Sequence, residues 1–414
     1  MGDGTALRVG VIGAAVSANK GAASMFYGLV DGLASEAAPL HIELLTTYPS
    51  DDRASLDTTS LPGGVDVTIR DASPVRLLLA FIVALPIRLL DRIGIPIGPF
   101  GFNRLVRSVR STDVVVDLAG ISFADGRGVP LLGYNSVMSL FPHLAGARVV
   151  KGSQALGPMR KPATRFAAGI VLPRMAMICA RGSRTRSHLD QMGLTNVVDA
   201  ADISFLMSTG VVPDGLPAHP DDGHVRIVVM PSSVVDGYAA RSGIDHIGVL
   251  ASTIERLSTE GHEVIVVPHS YRSNGERSRM NDGPIVSDLE AAVPPEAASF
   301  INVDLDPRSL RAIAGSADLV ITGRFHGMVS SLEVGTIPVV IGWSHKYGEV
   351  LDQFGVPDQG IAVEDLTSDR LVTLVEHSLA DRAVLEGHIA GALDGVNASS
   401  QVNIDVIRSV AVSG

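Results

Sequence analysis

Short runs of Val, Ile, Leu and Ala, each closed by a glycine or a polar turn, recur along this chain with room for a helix between them. Residues 8–13 (Arg-Val-Gly-Val-Ile-Gly) run through a loop containing Asn19 and Gly21 into a stretch with Met25, Leu29, Val30 and Leu33 at helical spacing. That is the opening of a strand–helix–strand unit. Further apolar runs follow at 41–45, 65–69, 113–118, 147–151 and 177–180. Strands that are apolar along their whole length are buried on both faces, so the pattern predicts a parallel sheet with helices on each side.

Residues 208–224 interrupt the series with Pro, Gly, Asp and His and few side chains able to fill a core, which reads as a domain linker. A second series begins at 225–230 and continues at 263–267, 299–303, 318–322 and 338–341, with helices fitting 244–257, 307–314 and 327–334. A chain of 414 residues exceeds the size at which one core stops growing. The expected fold class is therefore α/β, two tandem Rossmann-like domains with an interdomain cleft. The first covers residues 1–207 and the second 225–414. Residues 368–412 read as two or three helices, the last free to cross back onto the first domain. Ligands of such folds lie where strand C-terminal ends and helix N-termini converge. The chain shows no internal repeat and no low-complexity tract.

A formal net charge of −11 leaves no surplus of cations to neutralise a nucleic-acid backbone, so an anion site has to be local. The single cysteine, Cys179, excludes an intrachain disulfide and a cysteine zinc site, and its apolar surroundings suit a buried small side chain. Residues 1–7 form a short polar leader without the features of a signal peptide, and the apolar stretch 77–90 falls short of the roughly 20 residues a spanning helix needs. A cytoplasmic protein is expected. Residues 77–100 are nonetheless unusually apolar, with Arg76, Arg88 and Arg92 interspersed and with Pro86 expected to bend or end a helix. Part of this segment is expected at the surface, against a membrane, a lipid acceptor or a second subunit.

The densest chemical signal is residues 317–328, Ala-Asp-Leu-Val-Ile-Thr-Gly-Arg-Phe-His-Gly-Met. A buried strand, a turn at Gly323 and a helix would place Arg324 and His326 at the strand-to-helix junction, beside free backbone N–H groups. That suits a phosphate or a carboxylate. The plainer alternative pairs Arg324 with an acid and leaves His326 as a loop histidine. His269, after the strand at 263–267, occupies a similar strand end, and Asp117 and Asp125 are candidate bases in the first domain, with a sheet-end carboxylate and a turn former as their structural alternatives. No Asp-x-Asp-like acidic pair, HExxH or EF-hand loop stands where a metal-dependent glycosyltransferase or hydrolase would want it, and no dinucleotide fingerprint or P-loop is present, so neither a metal nor a bound cofactor is expected.

The run ending in Gly323-Arg324-Phe325-His326-Gly327, followed by Gly335-Thr336-Ile337-Pro338 and then Lys346, resembles the C-terminal signature of polysaccharide pyruvyl transferases. Weaker echoes are Asn19-Lys20-Gly21, where Ala22 replaces an acid; residues 114–125, where the glycine cluster is thinned; Gln154 to Pro158; and Arg181 with Ser187, where Gly182 replaces an acid. The resemblance implies a GT-B-like architecture, phosphoenolpyruvate as donor substrate, a carbohydrate or glycolipid acceptor in cell-envelope glycan synthesis, and a pyruvate ketal as product. Arg324, Arg181, Phe325, Lys346, His269, Asn19 and Gln154 would then contact substrate, while His326, Asp125 or Asp117 would hold or move protons. Phosphoenolpyruvate presents a phosphate and a carboxylate, which calls for two cationic forks, and Arg324 and Arg181 are the expected pair. The rival readings are a GT-B nucleotide-sugar glycosyltransferase using the same arginine for a diphosphate, and an inactive family member acting as a binding subunit.

Overall fold

A computed structural model describes residues 6–34, 39–57, 59–94, 103–220, 224–272, 275–342, 344 and 346–413. Residues 95–100 of the apolar segment, 221–223 of the expected linker and 1–5 of the leader lie outside the described residues. The chain divides into two compact units. One comprises Met1–Ala18, Ala22–Met207 and Asn397–Gly414; the other comprises Asn19–Gly21 and Ser208–Val396.

The first unit carries β1 (Leu7–Ile12), β2 (Leu40–Thr46), β3 (Val65–Asp71), β4 (Val114–Asp117), β5 (Ile121–Ser122), β6 (Val149–Leu156), β7 (Met177–Ala180) and β8 (Val197–Asp199). They pair in parallel in the order β3-β2-β1-β4-β6-β7-β8, with β5 alongside β6. Successive side chains of a strand point to opposite faces, and β4 shows the consequence. Val114 and Val116 join one hydrophobic cluster, with Val9, Val11, Ile42 and Leu44. Val115 joins the other, with Ile12, Leu45, Val149 and Ile178. Both faces of the sheet are thus covered, which is why its central strands read as continuous apolar runs. Cys179 is fully buried and its thiol is pushed up to about 12 by burial.

The second unit carries β9 (Arg226–Met230), β10 (Glu263–Val266), β11 (Ser299–Phe300), β12 (Leu319–Thr322), β13 (Ile337–Gly342) and β14 (Gly360–Ala362), all parallel. Their order, β11-β10-β9-β12-β13-β14, reverses direction between β9 and β12. Chain connections leave those two strands toward opposite sides, which opens a crevice at their C-terminal ends.

Several expectations need correction. The stretch 299–303 supplies a strand only over Ser299–Phe300. β5, β8 and β14 have two or three residues each, too few to show a period. Pro86 does not end its helix, which runs as Pro74–Arg92. Pro86 is solvent-exposed, so the carbonyl that loses its amide partner is on a face with access to water.

Residues 208–220 are not a free tether. Arg308 donates from Nη1 to Ser208 Oγ at 2.7 Å and accepts from the Gly210 amide at 3.1 Å, and Arg226 donates to the Pro217 carbonyl at 2.7 Å. The final helix, Arg382–Val412, is a single element of 31 residues. Its last part belongs to the first unit, where Ile404 and Ile407 enter the core. Fully buried Asn403 accepts from the Ser153 amide at 2.9 Å and donates to the Ala201 carbonyl at 3.1 Å. Asn403→Ala orphans both groups, at a cost of at least about 1–3 kcal/mol. Urea denaturation should show the midpoint falling with an unchanged m-value.

Candidate functional site

The signature run lies at the switch point of the second sheet. β12 ends at Thr322, Arg324 is the residue that opens the helix Phe325–Glu333, and His326 sits in that helix's first turn. The two glycines are required by close approach. A Cβ on Gly323 would meet Val235 Cγ2 at 2.7 Å and Ser232 Cβ at 2.8 Å, and one on Gly327 would meet Thr322 Oγ1 at 2.6 Å. Gly323 therefore lets the end of β12 press against the turn that follows β9.

Arg324 is held by Asp282. Its Nε donates to Asp282 Oδ2 at 2.8 Å, its Nη2 donates to Asp282 Oδ1, and Nη2 also reaches the Arg279 carbonyl at 3.1 Å. Asp282 is fully buried and accepts two further bonds, from the amides of Ser233 at 2.8 Å and Ser270 at 2.9 Å. The guanidinium is thereby fixed in orientation, with Nη1 left over, to which no described residue hydrogen-bonds.

His269, at the end of β10, is buried beside this pair. Burial holds its imidazole well below the usual 6.5, and the neighbouring Arg324, His326 and Lys20 lower it further, while a backbone hydrogen bond with His326 works the other way. At neutral pH His269 is therefore uncharged, with cationic side chains gathered about it. Lys20 belongs to the tripeptide 19–21 that groups with this unit; its Nζ lies 2.6 Å from Asp304 Oδ1. Gly21 in the same tripeptide lies so close to His326 that a Cβ would sit 2.3 Å from Nδ1. Asn19 accepts from the Gly21 amide at 2.9 Å, which caps the helix Lys20–Ala34.

Phe325 organises the other side. It makes edge-to-face contacts with His326 and Tyr347 at centroid distances of 5.2 and 5.7 Å, and Lys346 Nζ stands 4.6 Å over its ring. Tyr347 donates to the Gly323 carbonyl at 3.1 Å, tying the start of the helix Lys346–Gln353 to the glycine turn. The structure thus brings together Arg324, Phe325, His326, Lys346, His269 and the segment containing Asn19.

The first-unit candidates have internal partners. Asp117 is fully buried, 2.5 Å from Lys151 Nζ, and also accepts from Ser139 Oγ at 2.8 Å and the Ala119 amide at 3.1 Å. Gln154 is fully buried, accepts from Ser122 and donates to the Asp117 carbonyl at 3.0 Å. Arg181, 7% exposed, donates to buried Asp202 and to the Gly120 carbonyl at 3.2 Å. Asp125 accepts from the amides of Arg160 at 2.8 Å and Lys161 at 3.1 Å. Burial pushes its carboxyl up, but bonds from Thr164, Arg160 and Lys161 outweigh this and hold it below the usual carboxylate range, which makes it a weak base. Among the described residues no group of three or more His, Cys, Asp or Glu is placed to hold a metal, and no helix is long and apolar enough to cross a membrane.

The profile of the family described as polysaccharide pyruvyl transferase matches residues 19–345. The chain belongs to that family. It is a transferase of polysaccharide modification. A curated relative, the amylovoran biosynthesis protein AmsJ of Erwinia amylovora, is 21% identical over 426 residues, covering 98% of this chain and 100% of its own. Among solved structures, a UDP-GlcNAc 2-epimerase from Neisseria meningitidis matches with a TM-score of 0.57 at 9% identity, covering 97% of this chain and 100% of its own. A glycosyltransferase from Rickettsia africae matches with a TM-score of 0.54 at 11% identity, covering 98% of each. At such identities the likeness shows the fold, two parallel-sheet α/β domains of the GT-B kind.

Within this pyruvyl transferase family member, sequence reasoning missed Asp282, Lys20, Lys151 and Asp202. Asp282 did carry a signal, since Asn281-Asp282-Gly283-Pro284 reads as a helix start. Asp282 does occupy the cap position of the helix Gly283–Ala292, yet its side chain makes no capping bond, being committed to Arg324 and the two amides.

Asp282→Ala should cost about 3–5 kcal/mol of stability, because it strands a largely buried guanidinium and two amides; chemical denaturation measures it. The depressed His269 sets a pH dependence. The unfolded chain takes up a proton as pH falls below 6.5 whereas the folded chain does not, so this contribution to stability is complete above 6.5 and is lost progressively on acidification. His269→Gln should flatten that acid limb in a series of urea melts between neutral and mildly acidic pH.

Proposed function

We propose that the protein transfers the enolpyruvyl unit of phosphoenolpyruvate to a sugar of a cell-envelope or lipid-linked glycan and closes it to a cyclic ketal. The observation that supports this reading is the gathering of Arg324, Lys20 and His326 about the uncharged His269 at the switch point of a sheet. Phosphoenolpyruvate carries a phosphate and a carboxylate on three carbons, and a preoriented fork among cationic groups matches it better than a neutral crevice would. Family membership points the same way.

In the reaction an acceptor hydroxyl adds to the enol carbon while the methylene carbon gains a proton and becomes a methyl group. The C–O bond to phosphate then breaks, phosphate leaves with the electron pair, and a second hydroxyl attacks the same carbon and releases its proton to close the ketal. Arg324 is assigned to the donor's anionic oxygens, with Asp282 holding it in place. His326, in the first turn of its helix, is assigned to the phosphate or to the proton moved at the methylene carbon. Phe325 and Lys346 form the wall beside His326, and Lys346 adds positive charge. The charge stabilisation can come entirely from cationic side chains, without a metal.

Calorimetry with phosphoenolpyruvate and with a nucleotide-diphosphate sugar tests the donor. Phosphoenolpyruvate should bind, and Arg324→Lys, which keeps the charge but loses the fork, should weaken it by about 1.5–3 kcal/mol in a folded protein. Binding of the nucleotide sugar with no response to phosphoenolpyruvate would turn the reading to glycosyl transfer. Turnover on the true acceptor should survive chelation by EDTA.

A further inference from the structure

The helix Pro74–Arg92 has two apolar faces. Leu77, Ala80, Ala84 and Ile87 point inward and enter the core of the first unit. Val75, Leu78, Leu79, Ile82, Leu85 and Leu89 are each 47–69% exposed. At 100° per residue those six fall on a single side of the helix, a continuous ridge of branched aliphatic side chains several turns long. Soluble surfaces seldom leave so many large apolar groups adjacent and uncovered.

The charges nearby identify what covers it. Between positions 71 and 110 the sequence holds six arginines, Arg76, Arg88, Arg92, Arg104, Arg107 and Arg110, against only Asp71 and Asp91. This surplus sits in a chain whose overall charge is −11. Both aspartates are already used, Asp71 by Arg76 at 3.2 Å and Asp91 by Arg110 at 2.9 Å. The Arg110 bond also ties the helix Arg104–Arg110, with Arg104 and Arg107 exposed, to the end of the apolar helix. An uncovered aliphatic ridge, tied to a helix whose exposed Arg104 and Arg107 have no acidic partner among the described residues, is complementary to an anionic lipid surface, where acyl chains meet phosphate. A second copy of the chain offers the same arginines and would bring like charges together.

We propose that the outer face of Pro74–Arg92 docks this protein on the surface of an anionic bilayer, the aliphatic ridge entering the headgroup boundary and the flanking arginines contacting lipid phosphates. The helix lies on the membrane and does not cross it, and because its inner face stays in the protein core the insertion is shallow. The inference does not depend on which donor the enzyme uses.

Vesicle flotation tests it, with phosphatidylcholine alone and with equal parts of phosphatidylcholine and phosphatidylglycerol, on the full chain without donor or acceptor. The protein should float with the anionic vesicles only, and less at high salt. The triple variant Leu78→Ser, Ile82→Ser, Leu89→Ser should lose at least about tenfold in partitioning with its melting temperature unchanged. The pair Arg104→Gln and Arg107→Gln, which leaves the ridge intact, should lose about fivefold for each arginine. If the triple variant fails to fold, the arginine pair and the salt titration of the native chain decide. The proposal falls if the native chain ignores anionic vesicles, if it binds neutral ones equally well, or if either folded variant floats like the native chain. It falls equally if the ridge substitutions instead dissociate a dimer, seen by light scattering, that does not bind lipid.

Discussion

The buried carboxylate of Asp282 is the interaction on which the second unit's site depends. It accepts from Ser233 just after β9, from Ser270 just after β10, and from Arg324 just after β12, so one side chain joins the C-terminal ends of three neighbouring strands. An uncompensated carboxylate could not occupy so buried a position, and two amides with a guanidinium fork are what compensate it. The same bonds prevent the Arg324 side chain from sampling its rotamers. A guanidinium fixed before the ligand arrives loses less entropy on binding and can be aimed at a particular oxygen.

Electrostatic roles differ between the units. In the first, cations and carboxylates that could have served a ligand are spent on each other: Lys151 on Asp117, and Arg181 on Asp202. These pairs brace a sheet interior where an isolated charge would be prohibitive. Around Arg324 in the second unit two acids are likewise spent, Asp282 on Arg324 and Asp304 on Lys20. His326 and Lys346 add further basic groups there, near a histidine that burial keeps neutral. A strongly acidic chain can thus carry a local cationic centre, because Coulombic fields at short range are set by the nearest few groups.

Much of the fold was legible because local pattern and burial coincide. β1, β4 and β9 are apolar along most of their length, as strands between two layers of helices are. The signature around Arg324 was legible because two glycines, a strand end and a helix start fall within a few residues. Elements whose cause is not local were missed. β5 and β14 exist only as partners of longer strands, and the helix around Pro86 persists because its other hydrogen bonds and an inner face already in the core outweigh one lost bond.

Local pattern was therefore enough for the α/β class, the two series of strands, the strand-to-helix placement of Arg324 and His326, and the family. The tertiary structure decided the partners of the charges. Asp282 meets Arg324 across 42 residues of chain, Lys151 meets Asp117 across 34, and Arg181 meets Asp202 across 21. It also decided that the end of the last helix packs in the first unit's core and that one face of Pro74–Arg92 stays uncovered. Side-chain periodicity reports which residues are buried, because burial acts on each residue locally. The partner of a buried charge is set by which strand ends a sheet places side by side, and strand order is not written in any local period.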